Sequence, residues 1–134
     1  MGKASTRREI MTAQELARSG VLFAPASFLN ATPDELFDVC NSCGAKDSWF
    51  RPPASLFGVK LGYACNIHDW MYEFGFTDED KKEADRVFKI NGQRMITRQG
   101  KAWYKPTLLL RIVGIGYYKA TDWFGGEAYW KGKN

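Results

Sequence analysis

A short connection between two helical segments constrains the fold of this chain more than any other feature. Residues 73–76 contain a glycine and separate two stretches that are predicted to be helical, at about 56–74 and 78–97. Thr77 is followed by three acidic residues, and this arrangement is typical of a helix N-terminus, where negative charge opposes the helix dipole. Helices joined this tightly run antiparallel. The sequence therefore predicts a mostly helical fold built around a helical hairpin.

The only histidine of the chain lies in the first of these two helices. Residues three and four apart share one face of a helix, so the histidine is expected to lie in a stripe with a thiol, a carboxylate and a phenol. The four residues of this stripe are Cys65, His68, Asp69 and Tyr72. A lone histidine is by itself more often structural than catalytic, but these neighbours favour a catalytic interpretation.

An acidic residue in the second helix is expected to face this histidine. His68 lies eight residues before Phe76 and Asp85 lies nine residues after it, so an equal rise per residue brings them opposite each other. A carboxylate in that position can fix the imidazole tautomer and stabilise the imidazolium. The alternative is that Asp85 is a surface charge, because aspartates are usually exposed.

The spacing Cys-x-x-His-Asp-x-x-Tyr resembles the active-site helix of the phospholipase A2 superfamily. Asp85-Arg86 matches the Asp-Arg or Asp-Lys that this family carries on the partner helix. The resemblance covers about residues 41–88 and is closer to the short bacterial, fungal and phage-type members than to the venom and pancreatic ones. It implies an all-α, phospholipase A2-like fold, in which an antiparallel pair of catalytic helices follows a calcium loop and is flanked by further helices.

The resemblance also implies a reaction, which is calcium-dependent hydrolysis of the sn-2 ester of phospholipids. His68 would take a proton from the attacking water, and Asp85 would orient His68. Tyr72 would donate a hydrogen bond to Asp85. Asp69 would hold Ca²⁺, a cation that prefers oxygen ligands, and the bound metal would polarise the ester carbonyl and bind the phosphate.

Further calcium ligands would come from the loop ahead of the first helix, because Ca²⁺ takes about six to eight oxygen ligands. Asn41-Ser42-Cys43 is similar to the Asp-Gly-Cys of short bacterial members, with a neutral amide in place of the acid. The predicted loop ligands are Asn41, Ser42, Gly44 and Asp47. Ordinary turn chemistry is the alternative explanation of Asn41, Gly44 and Asp47.

Three cysteines are present, and this odd count does not by itself indicate a disulfide framework. Cys40-x-x-Cys43 has no second cysteine or histidine pair that would complete a zinc site. The resemblance implies a bridge between Cys43 and Cys65, which would tie the calcium loop to the catalytic helix and leave Cys40 free. In a reducing compartment all three would be thiols.

Three further helices are predicted: an N-terminal helix ending near Gly20, a short helix through Val39, and a final helix from Pro106 to about Trp123. Thr6 and Thr12 each precede a glutamate by three residues, so either could cap the first helix. Thr32 is followed by a proline and, at the third position, by a glutamate, which predicts a cap for the short helix. Residues 21–28 are expected to be extended.

The 134 residues are predicted to form a single domain. Its parts would be an N-terminal extension (1–31), a catalytic core (32–97) and a basic, aromatic C-terminal segment (98–134). No signal peptide is predicted, and the apolar run at 108–118 is too short to span a bilayer and contains Arg111. We expect a protein that is soluble as made and that, if released, uses a route other than general secretion.

Charge is distributed unevenly along the chain. Residues 1–85 carry 9 Lys and Arg against 13 Asp and Glu, a net charge of −4, whereas residues 86–134 carry 10 against 2, a net charge of +8. Cations mixed with Trp and Tyr suit an anionic phospholipid membrane interface. Nucleic acid is a less favoured partner. The alternative is that the aromatic residues form core and the charges form a solvated face.

Three functional hypotheses follow from these patterns. The first is an active, calcium-dependent phospholipase A2-like enzyme. The second, motivated by the neutral amide in the calcium loop, is a catalytically weak relative that serves as a binding or structural component, for example of a phage particle. The third, motivated only by charge, is a basic nucleic-acid-binding domain.

Overall fold

A computed structural model describes residues 7–40, 55–56, 59–60, 62–99 and 129–130. Its elements are α1 (Arg7–Arg18), α2 (Ala26–Leu29), α3 (Pro33–Val39), β1 (Ser55–Leu56), β2 (Val59–Lys60), α4 (Gly62–Phe74) and α5 (Asp78–Gln99), and residues 129–130 are also helical. The two short strands pair antiparallel, with Ser55 opposite Lys60 and Leu56 opposite Val59. Because the described part is otherwise helical, the predicted all-α class is confirmed.

Helix α1 ends close to the predicted position. Gly20 follows it with a φ of 86°, in the left-handed region that glycine adopts without strain, and the turn closes with a hydrogen bond from the Val21 amide to the Leu16 carbonyl at 2.9 Å. The prediction that Thr12 caps this helix is wrong. Thr12 lies inside α1, and its hydroxyl donates to the Arg8 carbonyl at 2.8 Å. Thr6, the other candidate, lies outside the described residues.

The prediction that residues 21–28 are extended is wrong from Ala26 onward, because α2 begins there. Pro25 occupies the N-cap position, and its carbonyl accepts hydrogen bonds from the amides of Phe28 and Leu29. The first half contains Phe23, whose N–H and C=O both bond to the side chain of Asn91 at 2.8 Å. An amide side chain thus satisfies backbone groups that a neighbouring strand would otherwise pair.

The predicted cap of α3 is confirmed. The Thr32 hydroxyl accepts from the Glu35 amide at 3.2 Å, and the Glu35 carboxylate accepts from the Thr32 amide at 2.8 Å. These bonds hold the pKa of Glu35 below its ordinary value. The helix begins at Pro33 and ends at Val39, as the sequence predicts.

The hairpin helices differ from prediction mainly at the start of α4, which begins at Gly62 rather than near Leu56. Leu56 pairs in the short β-ladder instead. At Gly62 the helix lies against α1, and a Cβ on this residue would stand 2.8 Å from the Glu9 carboxylate. Helix α5 begins at Asp78 as predicted and ends two residues beyond the predicted end, at Gln99.

The core lies where α1, α2 and α3 pack against the hairpin. Its buried side chains include Ile10, Ala13, Leu22, Phe28, Leu36, Ile67, Trp70, Val87, Phe88 and Met95. The predicted final helix from Pro106 to Trp123 lies outside the described residues. Within the part of the chain that the structure describes, no helix is long and apolar enough to cross a membrane.

Candidate active site

The connection between α4 and α5 ends in a local cap at the start of α5. The Thr77 hydroxyl accepts from the Asp80 amide at 3.0 Å, while the Asp80 carboxylate accepts from the amides of Phe76 and Thr77 at 2.9 and 3.2 Å. These bonds lower the pKa of Asp80. They start α5 immediately after the turn, so that the two helices run side by side and bring their middle residues together.

His68 and Asp85 meet across this hairpin. The His68 Nε2 lies 2.8 Å from the Asp85 Oδ1, and the Asp85 side chain is only 2% exposed. The predicted facing of the two residues is therefore confirmed, and the alternative that Asp85 is a surface charge is wrong. The same carboxylate oxygen accepts a hydrogen bond from the Tyr72 hydroxyl at 2.7 Å, which is the contact predicted for Tyr72.

A fourth residue belongs to this cluster, and the sequence analysis missed it. The Lys81 ammonium donates to the other oxygen of Asp85, Oδ2, at 2.8 Å, and the lysine side chain is 10% exposed. The available signal was the four-residue spacing of Lys81 and Asp85 on one helix face. Such pairs are common on exposed helix faces, so the spacing alone did not indicate a buried one.

Asp85 is held as a carboxylate. Burial raises the pKa of Asp85, but the hydrogen bond and charge of His68, together with the bonds from Lys81 and Tyr72, outweigh burial and leave the pKa below its ordinary value. An ionised carboxylate only accepts hydrogen bonds, so the Nε2 of His68 must be the donor. In the neutral imidazole, the free lone pair then lies on Nδ1.

Aromatic rings confine the imidazole. The His68 ring lies against Tyr72 and Phe88, with ring centroids 4.1 and 4.6 Å apart. Tyr72 in turn makes an edge-to-face contact with Tyr129 at 5.1 Å. Phe88 was not predicted as part of the site. Its signal is its position three residues after Asp85, which puts both on one face of α5.

Tyr129 corrects one expectation about the C-terminal segment. Its side chain is 0% exposed, and its hydroxyl donates to the Thr77 carbonyl at 2.6 Å. This residue is core, as the alternative explanation of the aromatic residues proposed. Of the rest of this segment, the structure describes only Arg98, Gln99 and Trp130.

Comparison of the chain with protein-family models, curated proteins and solved structures finds no match. In the hairpin, an imidazole, a phenol and an ammonium all bond to one buried carboxylate, that of Asp85.

Of the predicted metal ligands, one lies among the described residues and four lie outside them. Asp69 lies on α4 next to His68 and is half-buried, and its carboxylate has the oxygen chemistry that a hard cation prefers. Asn41, Ser42, Gly44 and Asp47 lie outside the described residues. Within 7–40, 55–56, 59–60, 62–99 and 129–130, no group of three or more His, Cys, Asp or Glu side chains could hold a metal ion.

The cysteines are likewise divided. Cys40 is a buried free thiol whose Sγ donates to the Asn66 carbonyl at 3.4 Å, which attaches the end of α3 to α4. Cys65 is buried one turn before His68. Cys43, its predicted partner, lies outside the described residues, so the bridge stays a prediction.

Proposed function

We propose that the protein is a phospholipase A2-like enzyme that hydrolyses the sn-2 ester of phospholipids in a calcium-dependent reaction. The observation that carries this proposal is the 2.8 Å contact between the His68 Nε2 and the Asp85 Oδ1 across the hairpin. The hydrogen bond from Tyr72 to the same oxygen supports it, because a carboxylate with two fixed donors has a defined orientation.

In this mechanism the Nδ1 of His68 takes a proton from a water molecule as the water oxygen attacks the ester carbonyl. The new carbon–oxygen bond gives a tetrahedral intermediate, and Asp85 stabilises the imidazolium through its bond to Nε2. When the intermediate collapses, the bond to the glycerol oxygen breaks and the imidazolium returns its proton to that oxygen. The products are a fatty acid and a lysophospholipid, and His68 is neutral again.

Asp69 and the loop residues Asn41, Ser42, Gly44 and Asp47 would hold the calcium ion. When bound, Ca²⁺ would polarise the ester carbonyl and neutralise the phosphate. A carboxylate directly after the general base in sequence suits this arrangement, because a single α4 backbone would then position both the base and one metal ligand.

The proposed substrate surface is an anionic phospholipid membrane. Two phenylalanines at the tip of the hairpin, Phe74 and Phe76, are exposed, Phe76 to 76%. The C-terminal part of α5 carries the exposed cations Arg94 and Arg98. The rings lie at the start of α5 and the cations near its end, so they are two separate candidate contacts with an anionic interface, and binding through the cations should weaken as salt rises.

The test uses vesicles of phosphatidylglycerol in which only the sn-2 acyl chain is labelled. The wild-type protein should release the labelled fatty acid with calcium present and stop when EGTA removes it. His68→Gln should abolish release, and Lys82→Gln, which changes an exposed residue on α5, should keep it. Release by His68→Gln at the wild-type rate would contradict the assigned base.

The same experiment separates the catalytically weak alternative from the enzyme. A binding or structural component would sediment with the vesicles and release no labelled acid, with or without calcium. Binding of His68→Gln to anionic vesicles but not to phosphatidylcholine vesicles would assign the membrane role to residues other than the base.

A further inference from the structure

An open groove runs along the C-terminal half of α5, where this helix faces the loop that follows α1. The groove has a volume of about 650 Å³. Its lining residues, as far as the structure describes them, are Val21, Ile90, Gln93, Arg94, Thr97 and Arg98. All but the first recur along α5 at intervals of three and four, so they form one stripe of that helix. One helix face and one loop therefore build this groove, which we call the α5 groove.

The α5 groove lies on the opposite side of α5 from the candidate active site. Asp85 bonds to His68 across the hairpin. Arg94 follows Asp85 by nine residues, which is about two and a half turns of helix, so the two side chains leave α5 in opposite directions. A molecule in the α5 groove would therefore occupy a site separate from the residues of the proposed hydrolysis.

Arg94 is fixed at the wall of the groove by neutral partners. Its Nη1 donates to the carbonyls of Gly20 and Val21 at 3.1 and 3.2 Å. The central guanidinium carbon lies 4.1 Å from the centre of the Phe23 ring, which is a cation–π contact. Carbonyls and an aromatic ring carry no net charge, so these contacts hold the guanidinium in position without neutralising it.

The surroundings of Arg94 add cations and no acid. Residues 86–98 contain four Lys and Arg and no Asp or Glu. Among the residues that the structure describes, neither Arg94 nor Arg98 has a carboxylate within ion-pair distance. Arg98 also opposes the dipole at the end of α5, which accounts for one cation there but not for a second one fixed beside the groove. Positive charge in the groove is therefore uncompensated.

Apolar side chains beside two guanidinium groups define the chemistry of a ligand. Val21, Ile90 and the methyl group of Thr97 offer surface to a hydrocarbon chain, whereas guanidinium groups bind carboxylate or phosphate oxygens in pairs. The volume lies in the range of about 300–1,000 Å³ that small-molecule sites have. A folded protein partner would contact about 20–30 residues, far more than line this groove. The features therefore fit a small molecule with one chain and an anionic head.

We propose that the α5 groove binds a single-chain anionic amphiphile, with its hydrocarbon chain along Val21 and Ile90 and its carboxylate or phosphate head on Arg94 and Arg98. Fatty acids and alkyl phosphates share this chemistry. The site goes beyond the proposed hydrolysis and is independent of it, because binding is measured without turnover of any substrate.

The test is a calorimetric titration of the whole protein with dodecanoate and with dodecyl phosphate, each below its critical micelle concentration. These conditions measure the binding of single molecules, and the two Kd values distinguish the two head groups. Dodecyl maltoside, also below its critical micelle concentration, has the same chain on an uncharged head, and inorganic phosphate has the charge without the chain. At least one anionic amphiphile should bind at least about tenfold more tightly than either control.

NMR of the isoleucine methyl groups locates the bound molecule. The Ile90 methyl signal, assigned from the spectrum of Ile90→Val, should shift on titration with the amphiphile that binds. The signal of Ile67, which is buried on α4, should stay in place. A shift of Ile67 without a shift of Ile90 would place the ligand elsewhere and overturn the proposal.

Variants of exposed residues separate charge from size. Arg98→Gln should weaken binding about tenfold, because one charge-assisted contact to the head group is lost. Thr97→Glu puts a carboxylate beside both arginines and should abolish measurable binding, whereas Thr97→Gln has the same length without the charge and should retain it. Lys82→Gln removes an exposed cation from the other half of α5 and should bind as the wild type does.

Two further results would overturn the proposal. One is binding of the anionic amphiphiles that is no tighter than that of dodecyl maltoside, or that is unchanged in Thr97→Glu. The other is binding to vesicles of anionic lipid with none to the single molecules, which would assign Arg94 and Arg98 to a membrane contact instead. Absence of phospholipid hydrolysis would contradict the proposed function and leave these binding results unchanged.

Discussion

The hydroxyl of Tyr129 occupies the space that a side chain at Gly75 would fill. A Cβ at Gly75 would stand 2.6 Å from this hydroxyl, which is too close for any carbon. The same hydroxyl donates to the Thr77 carbonyl, and the Tyr129 ring packs against Tyr72. The glycine of the hairpin turn is therefore required by a residue 54 positions later in the chain.

Gly75→Ala should destabilise the protein by about 1–3 kcal/mol, because either the turn or Tyr129 must move and the bond to Thr77 weakens. Urea unfolding measures this loss. Tyr129→Phe removes only the hydroxyl, and the double variant should be more stable than the sum of the two single changes predicts. Strict additivity would show that the two residues do not compete for this space.

The Asp85 charge should stabilise the fold at neutral pH and lose this effect in acid. Asp85→Asn should cost about 3–5 kcal/mol near neutral pH, because it leaves the buried Lys81 without its counter-charge. The pKa of Asp85 is lower in the folded protein than the ordinary 3.8, so its contribution is complete above that value and is lost as pH falls through the folded-state pKa.

The measurement is the free energy of unfolding of the wild type and of Asp85→Asn from neutral pH to below 3.8. The difference in the free energy of unfolding between the two proteins should shrink as pH falls through the folded-state pKa of Asp85. Asp38→Asn, which changes an exposed aspartate on α3, should follow the wild-type curve. A constant difference at all pH values would mean that Asp85 is not the titrating group.

Tyr72→Phe should lower the proposed hydrolysis by about tenfold, because one of the two donors that fix the Asp85 Oδ1 is lost, which corresponds to roughly 1.4 kcal/mol. The ring contacts to His68 and Tyr129 remain, so the free energy of unfolding should change little. The kcat/KM on vesicles is the measure. Tyr63→Phe, also on α4, is the control and should keep wild-type activity.

Among the predicted ligands, Asp69 should contribute most to calcium binding. Asp69→Ala should lose both calcium binding and hydrolysis, and Asp47→Ala should weaken binding more than Asn41→Ala, because ligand charge raises calcium affinity. Titration calorimetry on the three variants gives the order. Unchanged binding in Asp47→Ala would assign that residue to ordinary turn chemistry and leave Asn41 and backbone carbonyls as the loop ligands.

The cysteines should divide into one bridge and one buried thiol. Cys40 is free and buried, so it should react with a thiol reagent only after unfolding. Peptide mapping without reduction should recover Cys43 joined to Cys65, and reduction should weaken calcium binding before it unfolds the protein. A Cys40–Cys65 linkage would displace the predicted ligand loop by three residues.

The sequence alone determined the features that depend on short-range geometry. The short connection after α4 and the matched distances to His68 and Asp85 predicted their contact, because helix rise is constant and a tight turn permits only an antiparallel neighbour. Thr32 and Glu35 likewise predicted the start of α3, since a capping box is complete within four residues.

Only the tertiary structure decided which of several equivalent-looking residues enter the site. Lys81 and Lys82 are neighbours in the sequence, yet one is buried on Asp85 and the other is exposed. Nothing local marks Tyr129 as the residue that closes the hairpin. Burial is a property of contacts between distant segments, so the free energy that selects Lys81 and Tyr129 arises from packing that the local pattern does not contain.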